Sequence, residues 1–177
     1  VSRETTPTYA RAQRIEGTVD ERIVLEGNAE IRRGGTVLRG DRITYTQATD
    51  QVDVEGNARI YSHGASFSAP SMSFRVDAQT GSMSEASFTY PARQGRGEAT
   101  LIEFLGEQRA RMENATFTTC APGDKSWWVQ ADEIAVDGLE ESATAGFTRL
   151  YFQGVPVLAS PFFGFPVGER RRDDHAH

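Results

Sequence analysis

The residues able to do chemistry are few, and their spacing does not serve it. His63, His175 and His177 are the only histidines, and two of them stand in a polar terminal stretch. A zinc site needs ligands at spacings that let them converge, and no His/Cys pattern of that kind occurs. Acidic pairs stand at Asp132-Glu133 and Glu140-Glu141. Neighbours on a strand face opposite ways, so neither pair can serve one substrate as acid and base. There is no nucleophile elbow, phosphate loop or dinucleotide fingerprint. Trp127-Trp128 and Tyr90 offer rings that could stack on a sugar, and Arg170-Arg171-Arg172 could meet a phosphate. A strand with one ring inward, and a solvated end segment, are the plainer accounts. Asn114-Ala115-Thr116 spells a glycosylation acceptor but coincides with an internal repeat. The expectation is a protein with no catalytic residue, no metal and no cofactor.

Composition narrows the classes further. The 177 residues carry a net charge of -6 and are 38% hydrophobic, so a thin or extended core suits the chain better than a thick globule. An acidic chain lacks the basic face that general nucleic-acid binding requires, and no nucleic-acid partner is expected. No stretch approaches the roughly 18 apolar residues of a membrane helix. One cysteine, Cys120, cannot form an internal disulfide. It stands beside the Pro122-Gly123 turn, where a solvent-reachable thiol is expected.

The elements that would position any site are repeats. Glu26-Gly27-Asn28-Ala29-Glu30-Ile31 recurs 29 residues later as Glu55-Gly56-Asn57-Ala58-Arg59-Ile60. Leu38, Ile43 and Tyr45 map at the same offset onto Phe67, Met72 and Phe74. Degenerate copies follow at Glu85-Ala86-Ser87-Phe88 and Asn114-Ala115-Thr116-Phe117. Inside each copy apolar residues alternate, as on a strand with one face buried. In the return strand the alternation slips by one, at Gly40-Asp41, Ala69-Pro70 and Ala131-Asp132, which is what a β-bulge or corner supplies. Stacked copies with aligned corners predict an all-β folded sheet or elongated roll whose ends are open strand edges. Parity places Ile31, Ile43, Tyr45, Ile60, Phe67, Phe74, Phe88, Phe117, Ile134 and Phe147 on one inner face, and leaves Arg75 and Thr118 outside. Alternation alone does not decide whether that face closes into a core or takes up acyl chains.

The later residues carry a family resemblance. Cys120-Ala121-Pro122-Gly123-Asp124, Trp127, Ala131-Asp132-Glu133-Ile134, Val155-Pro156-Val157, Ser160-Pro161-Phe162 and Phe165-Pro166-Val167-Gly168 with Arg171-Arg172 resemble the end of the periplasmic domain of the LptD family. The preceding Gly-Asn-Ala repeats resemble the OstA-like fold that this family shares with LptA and LptC. The resemblance spans roughly residues 15 to 172. The chain departs from it at Ala159, where an aromatic is common, and after Arg172, where Asp173-Asp174-His175-Ala176-His177 replaces the expected barrel strands.

The resemblance implies a V-shaped β-jellyroll open along one side. Residues 1–14 would be an N-terminal extension, 15–160 the jellyroll, and 161–177 a connector toward an outer-membrane β-barrel absent from this sequence. It implies lipid transport without enzymatic activity. Lipopolysaccharide would pass from an LptA-like bridge to the outer-membrane translocon, with acyl chains inside and sugars outside. Each CH₂ taken from water contributes about 0.8 kcal/mol, so affinity needs little polar specificity. The ten inner-face residues would be the lipid-binding set. An edge around Arg14 to Ile31 would receive a bridge strand. The barrel of the full-length chain and its lipoprotein plug LptE would be further partners, and Cys120 would pair with a barrel cysteine. The place would be the periplasmic face of the Gram-negative outer membrane, after removal of a signal peptide. Two other readings stay open: a soluble LptA-type bridge protein, and a closed carbohydrate-binding or structural β-roll.

Overall fold

The alternating segments become strands, and the Gly-Asn-Ala repeats become the bend in each. A computed structural model describes residues 8–18, 21–62, 64–91, 94–121, 124, 126–137, 142–161 and 163–166. His63, His175, His177, Glu140, Glu141, Pro122, Gly123 and Arg170 to Arg172 lie outside the described residues. The strands are β1 (Thr8–Arg11), β2 (Arg14–Thr18), β3 (Arg22–Arg33), β4 (Thr36–Thr46), β5 (Gln51–Ser62), β6 (Ala65–Arg75), β7 (Thr80–Tyr90), β8 (Gly95–Gly106), β9 (Arg109–Thr118), β10 (Trp127–Asp137), β11 (Ser142–Ala145), β12 (Thr148–Phe152), β13 (Val155–Ser160) and β14 (Phe163–Pro166). They form one 14-stranded sheet, in which every strand from β3 to β10 pairs with its chain neighbours. All of the pairings are antiparallel, and a 3-10 turn at Gln47–Thr49 joins β4 to β5.

Each long strand is bent in the middle. In the β3–β4 ladder Glu26 pairs with Arg42 and Ala29 with Gly40, so Gly27 and Asn28 oppose Asp41 alone. Two residues against one is a β-bulge, and it turns the strand. The same step recurs at Gly56-Asn57 against Pro70. It explains the one-residue slips at Gly40-Asp41 and Ala69-Pro70; at Ala131-Asp132 the ladder stays one against one, and the parity slips in both paired strands. The bend needs left-handed backbone at both motif positions: Gly27 has φ 83° and Asn28 φ 47°, and Gly56 and Asn57 repeat this at 81° and 51°. Glycine adopts that conformation freely, and asparagine tolerates it better than most residues. Glu85 and Asn114 hold the next two bends at φ 53° and 50°. A second periodic set, Asp50, Gln79 and Gln108 with φ between 55° and 59°, closes the hairpins on one side. The 29-residue repeat is thus a repeat of backbone conformation.

Aligned bends fold the sheet along one crease into two walls. The first wall carries Arg22–Glu26 and the strand halves that pair with them; the second carries Ala29–Arg33 and its partners. The crease is lined by small residues in register: Ala29 with Gly40, Ala58 with Ala69, Ala86 with Ala99, and Ala115 with Ala131. A Cβ added at Gly40 would overlap Val54 Cγ1. Small residues there let the walls converge, and larger ones above them fill the gap. Phe67 on the second wall meets Phe104 on the first edge-to-face, with ring centroids 5.1 Å apart. The core comprises buried residues such as Leu25, Ile43, Val52, Val54, Ile60 and Ile102.

The ends of the sheet differ from its middle. β1 pairs with Glu30–Arg33 of β3, while β2 pairs with Arg22–Glu26 of the same strand. Each wall therefore has its own short first strand, and Thr8–Arg11 belongs to the sheet although it precedes residue 15. β10 divides in the same way: Trp127–Ala131 pair with β12, and Ile134–Asp137 pair with β11. β13 then extends one wall and β14 the other.

Candidate functional site

The inner faces of the two walls form a trough, and most of the sequence-derived face lines it. Ile31, Ile43, Ile60 and Phe74 are buried in it. Tyr45, Phe67, Phe88 and Ile134 are half-buried and packed against it. Phe117 is half-buried and lies over Gly95, where an added Cβ would sit 2.5 Å from its ring. Phe147 is a correction: it lies in the bend between β11 and β12, exposed, with the Arg149 guanidinium 4.9 Å over its ring. The chain turns there to leave one wall for the other, so strand parity does not apply. Thr118 is also corrected from outside to buried; its Oγ1 donates to the Trp127 carbonyl at 2.7 Å. Leu25, Val52, Val54 and Ile102 were not in the expected set, yet they are among the most buried side chains. Their alternation was the signal that could have found them.

The lips of the trough meet at one end. A straight strand of the 11 residues Thr36–Thr46 would be about 36 Å long. Arg33, just before β4, nevertheless bonds to Asp50, just after it. Arg33 Nη2 lies 3.4 Å from Asp50 Oδ1, and Nη1 pairs with Asp77 Oδ1 in the next turn along that lip. Arg33 Nε donates to Thr8 Oγ1 of β1 at 2.6 Å. Tyr45 donates its hydroxyl to Asp50 Oδ1 at 2.7 Å, and the Asp77 amide donates to Asp50 Oδ2 at 2.6 Å. Burial pushes the Tyr45 phenol pKa up, and the hydrogen bond to Asp50 adds to it. The Arg33 side chain is only 14% exposed. Between described residues, the other salt bridges each stay on one wall or at its crease.

Outside the trough, Glu30 is the best-shielded carboxylate among the described residues. Its side chain is 9% exposed and bonds to Arg11, Arg32 and Arg39 at 3.0, 3.1 and 3.0 Å. Burial raises its pKa, but the guanidinium hydrogen bonds outweigh this and hold it below the ordinary glutamate range. Trp128 stacks on Tyr151 with ring centroids 4.9 Å apart, so a strand neighbour already covers one of its faces. Among the described residues no three His, Cys, Asp or Glu side chains gather as metal ligands would.

The open edges lie at the forked ends. Ile23 pairs with Gly17 on one side and Tyr45 on the other, so it is inside the sheet. The first edge is β1 with β2, where Tyr9 and Ile15 are exposed. At the far end β13 presents exposed Val155, Val157 and Leu158, the last at 66%. Cys120 is a free cysteine, half-buried in the bend after β9. Its Sγ lies 3.8 Å from the Trp127 carbonyl oxygen, and its own carbonyl accepts from Arg96 Nε at 3.0 Å.

Comparison with known proteins places this architecture. The profile of a family described as "LptA/(LptD N-terminal domain) LPS transport protein" matches residues 2–51. LPS-assembly protein LptD of Ralstonia nicotianae is 36% identical over 166 residues, covering 94% of this chain and 20% of that protein. LPS-assembly protein LptD of Bordetella pertussis is 34% identical over 169 residues, covering 96% of this chain and 21% of its own length. The chain thus spans about a fifth of the curated relatives it matches. LptH from Pseudomonas aeruginosa, the LptA-homologous periplasmic component of its lipopolysaccharide transport device, aligns at a TM-score of 0.33 and 15% identity, covering 92% of this chain and 96% of that one. With relatives named LptD along nearly its whole length, and that profile over its first strands, the chain belongs to the LptD N-terminal domain family.

Proposed function

We propose that the trough carries lipopolysaccharide, with acyl chains between the walls and the sugar portion outside the lips. The observation that carries this reading is a continuous apolar inner face on a sheet whose two walls, among the described residues, are tied by ion pairs across the lips at one end only. Burying hydrocarbon there contributes about 25 cal/mol per Å² and requires no particular headgroup contact. In this reading the chain accepts its cargo from an LptA-like bridge through β1 and β2, whose unpaired backbone groups suit strand addition. It passes the cargo toward an outer-membrane barrel and its LptE plug, on the periplasmic face of the outer membrane. Cys120 is the residue that would tie this domain to that barrel.

The test is photo-crosslinking of lipopolysaccharide. Photoreactive residues at Phe74 and Phe117 face inward, and the same residue at exposed Arg75 and Ser87 serves as control. Labelling at the first pair and not the second is expected; equal labelling of all four overturns the assignment. One observation favours the closed-roll reading for part of the molecule. Leu25, Ile43, Val52 and Val54 on the first wall and Leu38 and Ile60 on the second are fully buried, leaving no room there for a chain while the lips are shut.

A further inference from the structure

The cross-lip cluster gives that shut region a role. We propose that Arg33, Asp50 and Asp77 form a latch that holds the N-terminal half of the trough closed when empty, and that it must part before an acyl chain can occupy that half. The inference rests on the reading of the trough as a lipid site, and adds to it a gate of stated chemistry.

The geometry supports a latch rather than an incidental surface pair. Arg33 ends β3 on one lip, while Asp50 and Asp77 belong to two successive turns on the other lip. A single guanidinium therefore spans the mouth and ties two hairpins at once. The fork of arginine suits two carboxylates on one plane. The cluster is organised from behind as well, since Tyr45 and the Asp77 amide both bond to Asp50. Asp50 stands where the repeat has Gln79 and Gln108, so the charge is the departure from the repeat and the turn geometry is its rule. Arg33 is also bonded to Thr8 of β1, the strand that ends the sheet on its wall.

The latch sits over a closely packed part of the core. The side chains beneath it, Ile31, Leu38, Val52 and Ile60, are all at most 4% exposed. Toward the other end Phe88, Phe117, Val129 and Ile134 are only half-buried, and between described residues no ion pair crosses the lips. Partly exposed ion pairs are individually weak, on the order of 1 kcal/mol or less. A latch of this strength can yield to the burial of a few CH₂ groups, at about 0.8 kcal/mol each, and close again afterwards.

The experiment measures the mouth directly and then asks about lipid. Spin labels are placed on the two lips at Gly35→Cys and Ala78→Cys in a Cys120→Ser background. Both sites are exposed, and a Cβ at Gly35 meets nothing within 4 Å. The distance distribution is expected to be narrow with Arg33 present, and to broaden to longer distances in Arg33→Gln. Asp77→Asn keeps the shape of a half-exposed residue and guards against misfolding; it should broaden the distribution less. In parallel, lipopolysaccharide crosslinking at Ile60 should rise several-fold in Arg33→Gln, while crosslinking at Phe117 stays unchanged. Unchanged lip distances in both variants overturn the latch, whatever the lipid does. Wider lips with equal gains at Ile60 and Phe117 also overturn it as a gate for one half. Wider lips with no lipid labelling at either site would keep the mechanical latch and refute the lipid reading on which its gating rests.

Discussion

The two halves of the trough are built from the same repeat and differ in state. From β3 to β5 the inner face is mainly aliphatic, with Leu25, Ile31, Leu38, Ile43, Val52, Val54 and Ile60 buried and Tyr45 half-buried, and it is latched at the lips. From β9 onward Met112, Ala115 and Ala131 are still buried near the crease, but Phe117, Val129, Ile134 and Val136 are half-buried, and the walls diverge at β10 into separate hairpins. Phe152, Val155, Val157 and Leu158 are left exposed there. The backbone rule is common to both halves, so the difference comes from side-chain volume and from which charges meet across the mouth. A folded sheet can thus be a core at one end and a receptive surface at the other without changing topology.

The largest expected effect tests the crease. Gly40→Val should destabilise the domain by about 3 kcal/mol or more, because the crease has no room for a side chain and overpacking there forces the backbone apart. Ala131→Leu, at the crease of the forked end, should cost less, since the diverging walls can adjust. Urea unfolding of both variants checks the order; equal losses would mean that the crease is equally tight along its length. A middle-sized effect separates the two halves. Ile43→Ala, at 0% exposure, should cost about 3 kcal/mol, and Ile134→Ala roughly half of that, because a half-buried side chain leaves a smaller cavity. A ratio near one would erase the distinction between packed and receptive halves. The smallest effect concerns pH. Glu30 has its carboxyl held below the ordinary value of 4.5, so its contribution is present above that pH and is lost as the pH falls through the folded-state value. Glu30→Gln should therefore lower stability at neutral pH and flatten the acid limb of a melting-temperature profile; an acid limb as steep as that of the parent protein would argue against it.

Much of this was legible in the sequence, for a physical reason. The repeat dictates where the backbone bends, and alternation dictates which side faces in, so Ile31, Ile43, Ile60 and Phe74 could be placed without coordinates. Parity fails where the chain changes walls, which is why Phe147 lies in an exposed bend. It fails again at strand ends, where Thr118 turns in to satisfy the Trp127 carbonyl. Of the edge expected around Arg14 to Ile31, β2 does lie at the edge, but β3 is inside the sheet, because β1 and β2 are short and share it as partner. Cys120 was expected to be solvent-reachable beside Pro122-Gly123, which lie outside the described residues; it is half-buried against the next strand. The latch had no sequence signal. Arg33, Asp50 and Asp77 come together only because the sheet folds, and their spacing follows no repeat.

The pairing of each long strand with its chain neighbour has a consequence for how the molecule comes into being. Contacts close over short loops; even the latch joins residues only 44 apart. Low contact order favours rapid folding, and a stack of hairpins can grow from its first member without waiting for the last. The hazard of such growth is that the newest strand always offers an unpaired edge to any other chain. The forks limit that exposure once growth stops. They replace one edge of 10 to 12 residues with two of four to six, set on different walls and unable to present a continuous template.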